Sequence, residues 1–185
     1  MPRVHVLTAG YVGANTASTV SMIEAEDGLI VVDPGMVVSR SVILEPIAQL
    51  GHDPEQVTDV ILSHHHPDHT INIALFPNAR VHDHWAIYEN DLWTSRSAEG
   101  FKVADGVTLW ETPGHTPQDI TTIVETDHGV TALTHLWWSN EGPEEDPFAT
   151  DPDLLHTGRK RVLEVASMIV PGHGASFAPD QGTPL

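Results

Sequence analysis

Ser63-His64-His65-His66-Pro67-Asp68-His69-Thr70 follows directly on the apolar run Val60-Ile61-Leu62. Neutral imidazoles and carboxylates are the ligands that Zn²⁺, Fe and Mn accept, so this dense run is a candidate metal site on residue chemistry alone. Val57 to Ser63 reads as a buried strand whose C-terminal end delivers the cluster. Side chains of an extended segment alternate, so His64 and His66 share one side and His65 faces the other. His65 is therefore set aside as a supporting or solvent-facing residue. Two more histidines stand in glycine-flanked turns, His115 after Pro113-Gly114 and His173 after Pro171-Gly172. Glycine there lets the backbone approach closely and aim a side chain.

Outward from the cluster, strands are predicted at Val4 to Leu7, Thr19 to Ala25 and Gly28 to Asp33, with a hairpin turn at Glu26-Asp27-Gly28. The polar loop from Ala9 to Ser18 can lie over a site. Val38, Val42, Ile43, Ile47 and Leu50 follow helical spacing, ended by Gly51. Helical character is predicted over His69 to Phe76, a short strand at Arg80 to His84, and a helical turn within Ala86 to Leu92. Phe101 to Thr112 reads as two strands about Ala104-Asp105-Gly106, and Ile120 to Glu125 with Gly129 to Thr134 as a further pair. An acidic, proline-containing loop, Asn140 to Pro152, leads to a helix over Asp153 to Ala166 and a last strand at Met168 to Val170. Strands in both halves with helices after some of them predict a layered α/β domain, one domain over residues 1–185, with ligands offered from strand ends onto one rim.

The bulk composition narrows the function. The chain has 185 residues and no cysteine, which excludes disulfides, thiolate nucleophiles and cysteine zinc sites. Any metal must use histidine and carboxylate. The net charge of −18, from 8 basic against 26 acidic residues, argues against nucleic acid, whose phosphates need clustered Lys and Arg. No apolar run is long enough to span a membrane. The first residues lack the build of a secretory signal and read as a strand, so the cytoplasm is the expected compartment.

The order His64-x-His66-x-Asp68-His69, then His115, then His173, resembles the metallo-β-lactamase superfamily over essentially the whole chain. The stretches Gly158 to Leu163 and Ile169 to Gly174 are similar to the metallo-β-lactamase domain-containing protein 1 branch. The resemblance implies a four-layer αβ/βα sandwich holding one or two metals, usually zinc, with iron or manganese as alternatives. It assigns His64, His66 and His115 to a first metal and Asp68, His69 and His173 to a second. Asp33, at a strand end before Pro34-Gly35, resembles the residue that supports the ligand loops by hydrogen bonds. The chain departs from the pattern at His135, where hydrolases such as glyoxalase II carry an aspartate that bridges both metals. A neutral imidazole has one lone pair and cannot bridge two cations, so His135 is either a ligand of the second metal or a residue lining the pocket.

The activity this implies is a metal-dependent hydrolase of a small ester, thioester, lactone or phosphoester. Metal-bound water would supply hydroxide near neutral pH, and Asp68 would orient it and accept its proton. The alternatives are a mononuclear iron oxidoreductase of the persulfide dioxygenase type and a metal-binding protein without turnover. Small-molecule substrates are the expected partners, and a homodimer is left open. Trp137-Trp138 could wall an apolar substrate pocket or fill the core. Arg159-Lys160-Arg161, the only basic cluster, reads as a solvated helix face. His82 and His84 are expected at an ordinary strand end, and His5, His52, His128 and His156 on the surface or in packing.

Overall fold

Three apolar clusters set the layers of the molecule, a computed structural model describing all 185 residues. The first sheet contains β1 (Arg3–Thr8), β4 (Val20–Ala25), β5 (Gly28–Val32), β6 (Val57–Ile61), β7 (Arg80–His82), β8 (Ala86–Glu89) and β9 (Leu92–Ser95), in that order. The second runs β10 (Lys102–Ala104), β11 (Val107–Glu111), β12 (Ile120–Thr126), β13 (Gly129–Thr134) and β14 (Ala166–Pro171). Ile23, Ile30, Val32 and Ile61 of the first sheet share a cluster with Leu109, Ile120, Val124, Leu133 and Val170 of the second. Alternate residues point the other way. Met22, Val31 and Val60 join Ile43 and Ile47 of helix α1 (Ser41–Gln49), while Ile123, Ala132 and Ile169 join Leu155 and Val162 of helix α3 (Pro152–Leu163). A strand repeat of two against a helical repeat of three to four thus yields helix, sheet, sheet, helix, the predicted αβ/βα sandwich.

Within each sheet the parallel strands carry the site. β5, β6 and β7 pair in parallel, with α1 crossing between the first two, and β13 pairs in parallel with β14 through α3. The C-terminal ends of β5, β6, β13 and β14 therefore meet at one edge of the sandwich and deliver Asp33, His64, His135 and His173 there. Asp33 sits at φ 52°, left-handed backbone that a non-glycine residue adopts only under constraint. Gly35 explains part of that constraint. A Cβ on it would overlap the carbonyl of Asp68, whose oxygen also accepts from Met36 N at 2.8 Å.

Several expectations are corrected. Ala86 to Leu92 is no helical turn: β8 and β9 form an antiparallel hairpin turning at Asn90, which takes φ 54°. Short apolar runs fit either period, and here the pairing of Tyr88 with Val81 of β7 decided for strand. The loop over Ala9 to Ser18 contains a small hairpin of β2 (Tyr11–Val12) and β3 (Thr16–Ala17). The helical stretch after His69 reduces to α2 (Pro67–Thr70) and a single 3₁₀ turn, Ile73–Leu75. Arg159 is not on a solvated face. It is 1% exposed and donates to the carbonyls of Leu136, Pro143, Glu144 and Leu185, tying the acidic loop and the C-terminus to α3. Arg161 pairs with Glu99 and stacks on Trp110. Trp137 is core, whereas Trp138 lines the cavity described below, so the two readings of that pair each hold for one residue.

Candidate metal centre

The structure gathers all seven predicted side chains, Asp68 and the six histidines 64, 66, 69, 115, 135 and 173, into overlapping groups of potential ligands. His64 Nε2 stands 3.0 Å from His66 Nδ1, and His115 Nε2 stands 3.1 Å from the same atom. On the other side His69 Nε2 lies 3.4 Å from His173 Nε2, and Asp68 Oδ2 lies 3.5 Å from each of those nitrogens. Nitrogens about 2.0–2.1 Å from one tetrahedral ion stand about 3.3 Å apart. The spacing therefore suits a divalent cation, and the donor set, imidazoles with one carboxylate, is one that zinc, iron and manganese accept. His135 occupies the middle. Its ring centroid is 4.2 Å from that of His115, 4.5 Å from His64 and 4.8 Å from His69, and its Nε2 is 3.1 Å from His173 Nε2.

The inward-facing nitrogens are available because outer partners occupy the opposite ones. His69 Nδ1 donates to Asp33 Oδ2 at 2.9 Å, His115 Nδ1 to Asp146 Oδ2 at 2.7 Å and His173 Nδ1 to the carbonyl of Ala17 at 2.9 Å. His64 Nδ1 meets Ser63 Oγ at 3.0 Å. The carboxylates and the carbonyl only accept, so they put the proton on Nδ1 of His69, His115 and His173 and leave Nε2 facing the site with its lone pair. The Ser63 hydroxyl, which can donate or accept, holds the His64 ring in place. Asp33 serves twice, since its Oδ1 also accepts from Ser63 N at 2.7 Å at the head of the ligand loop. This is the supporting role expected of it. Burial, then repulsion among neighbouring imidazoles, pushes His64 and His135 well below the ordinary histidine range and lowers His66 and His173 as well. Neutral rings with lone pairs turned inward are what a metal takes.

Three supporting carboxylates escaped the sequence reading. Asp146 lies in the acidic loop, 31 residues from the His115 it holds, and also accepts from Trp138 Nε1 at 3.1 Å. Asp119 closes the turn after His115 by accepting from Thr116 N at 2.7 Å. Asp83, just past β7, accepts from His65 Nε2 at 3.0 Å, Tyr88 Oη at 2.7 Å and the amides of Trp85 and Ala86. His65 is thus a strut that ties the ligand loop to the neighbouring strand. Pro-Gly and His-x-His patterns are visible in a sequence, whereas an isolated acid in an irregular loop carries no spacing to read.

Two measurements follow from these supports. Replacing Asp146 with Ala should weaken metal binding about 10- to 100-fold, read by competition with a chromophoric chelator. An unchanged affinity would reduce Asp146 to a loop anchor. For Asp83, burial works to raise the carboxyl, but His65, Tyr88 and the two amides outweigh it and hold the group at about 2. A folded pKa below the unfolded value of 3.8 makes a contribution of about 2 kcal/mol, fully present above about pH 4 and lost as pH falls towards 2. Urea unfolding of wild type and Asp83→Asn should differ by that amount at pH 5 to 7, with the gap about 1 kcal/mol smaller at pH 3. A gap that does not respond to pH would mean that the carboxylate's charge is not what matters.

The floor of this site opens to a cavity of about 440 Å³ lined by His66, Asp68, His115, His135 and His173, with Val12, Thr16, Met36, Pro67, Trp138 and Phe148. The sequence profile of the metallo-β-lactamase superfamily matches residues 14–176, a span that includes every one of the ligand candidates. The chain belongs to this superfamily. Metallo-β-lactamase domain-containing protein 1 of Mus musculus is 34% identical over 172 residues, covering 89% of this chain. The match spans 66% of the mouse protein's own length. An N-acyl homoserine lactonase of Bacillus thuringiensis is 25% identical over 185 residues, covering 78% of this chain and 74% of that one, so lactonases are among the superfamily hydrolases related to it. In fold, the chain superposes on a Thermotoga maritima structure of the metallo-β-lactamase class with TM-score 0.77 at 21% identity, over 96% of this chain and 99% of that one. It also superposes on AidC, a dizinc quorum-quenching lactonase, with TM-score 0.61 at 19% identity, over 84% and 72% of the two chains. The metallo-β-lactamase fold accounts for the four layers, and no helix of the chain is long and apolar enough to cross a membrane.

Proposed function

We propose that this metallo-β-lactamase-fold protein is a zinc-dependent hydrolase of a small ester, thioester, lactone or phosphoester, acting in the cytoplasm. The observation that carries the reading is the convergence of six imidazoles and Asp68 at the foot of an open cavity, lined by Asp68 and four of those imidazoles, with most of the outer nitrogens held by fixed partners. His64, His66 and His115 would hold one ion, and Asp68, His69 and His173 a second, with His135 completing that second set. Bound zinc would lower the pKa of water towards about 7 and polarise a carbonyl or phosphoryl oxygen. Asp68, the only acid lining the cavity, orients the attacking water and takes its proton. The protonated carboxyl then returns that proton to the leaving oxygen. Asp33 and Asp146 keep His69 and His115 aimed throughout, so the ligands do not have to reorganise as charge develops.

Metal analysis of the purified protein, followed by assay on an ester, a lactone, a thioester and a phosphodiester, tests the proposal. Bound zinc with turnover on at least one of the four supports it. Zinc with none would make the protein a metal binder, and iron with oxygen uptake would make it an oxidoreductase.

A further inference from the structure

Above the ligands the cavity wall is apolar and carries no positive charge. The chain has 8 Lys and Arg residues, and none of them lines the cavity. A substrate carboxylate or phosphate remote from the reacting centre would find no cationic partner there. What it would find is the stacked pair Trp138 and Phe148, with ring centroids 5.7 Å apart and planes within 11°. Val12, on the small β2–β3 hairpin, and Met36, just after β5, supply the rest of the apolar lining. These side chains are not core. Phe148 is 68% exposed, Val12 47% and Met36 40%, so three apolar groups crowd the mouth of a polar site while facing water. Apolar surface gathered at a cavity mouth marks where a ligand's apolar part rests.

Resting on the hydrolase reading, we propose that the substrate is a carboxylic ester or lactone whose acyl part is apolar and uncharged, gripped by Trp138, Phe148, Val12 and Met36. In the reaction, water oxygen bonds to the acyl carbon, the acyl C–O bond breaks, and the alcohol oxygen leaves with a proton. A lactone yields one hydroxy acid. The wall contributes nothing to those bond changes. It selects, because each methylene drawn from water adds binding, whereas a charged group on the substrate remote from the reacting centre finds no partner on the wall. Trp138 also donates to the Asp146 carboxylate that holds His115, so changing it would disturb the ligands. Phe148 and Val12 have no such second duty through their side chains.

The test is binding of straight-chain hydroxamates, from acetyl to octanoyl, to the zinc-loaded protein by calorimetry. Wild type should gain at least about tenfold in affinity over the series. Phe148→Ala and Val12→Asp should flatten that gain to less than about threefold with zinc content unchanged. Affinity independent of chain length in wild type overturns the proposal, as does a gain that survives both substitutions. Because the readout is binding, a protein that hydrolyses nothing would still show the slope. A silent ester panel therefore counts against hydrolysis, and a flat slope counts against acyl recognition. Turnover of a phosphodiester in preference to a long-chain ester would also overturn it.

Discussion

Asp68→Asn should lower kcat on a cleaved ester or lactone by about 10² to 10⁴, the range that a positioned proton acceptor contributes. The substitution keeps the shape of the side chain and one oxygen able to face a cation, and removes the negative charge together with the ability to take a proton. The surroundings of Asp68 single it out for this role. Its side chain is 21% exposed where His69 and His173 beside it are 0% and 5%, so it alone among the acids near the ligands meets both cavity and imidazoles. Its position is rigid, because its backbone carbonyl accepts from Met36 N at 2.8 Å and packs on Gly35. The assay is run at saturating zinc with metal content measured alongside, since a carboxamide is a weaker ligand than a carboxylate. A drop of less than about tenfold with zinc retained would take Asp68 out of proton transfer.

How much of this could be read from the sequence depends on how far apart the partners stand. His64, His66, Asp68 and His69 were legible because one strand end presents them within a few residues, and His115 and His173 because Pro-Gly turns precede both. A layered α/β domain was legible from strands in both halves with helices after some of them, and the four-layer order came from the resemblance to the superfamily. The structure accounts for that order by alternation, as when Ile30 and Val32 enter one cluster and Val31 the other. The β8–β9 hairpin was not, because a run of four residues fits a helical turn as well as a strand and its pairing with β7 decided the matter. Arg159 was misread for a related reason. A basic residue on a helix is usually solvated, and only the fold brings four carbonyls from distant segments around this one. Asp146 and Asp83 act on ligands at long range in the chain, and no local pattern records that.

The position at which the chain departs from its superfamily gives the second large effect: His135→Ala should reduce bound zinc from about two ions to about one, with hydrolysis falling by about 10² to 10³. His135 directly follows β13 and is 3% exposed, with its ring among those of His64, His69, His115 and His173. Gly172 makes room for it, since a Cβ there would come within 2.4 Å of the ring. Yet it differs from four of the other candidate ligands in one respect. Where His64, His69, His115 and His173 each have Nδ1 fixed by a partner, the buried Nδ1 of His135 has none. A ring with an unheld outer nitrogen and a single inward lone pair can complete one ion's coordination but cannot join two as a carboxylate does. The second ion should therefore be the more weakly held, and it should be the one lost. His135→Asp sharpens the test, because a carboxylate has the two oxygens with which to join two cations that an imidazole lacks, and it should restore two tightly held ions. Two ions retained in the Ala variant would place His135 in the cavity wall, and one ion in wild type would mean that a buried imidazole here has replaced the second metal instead of binding it.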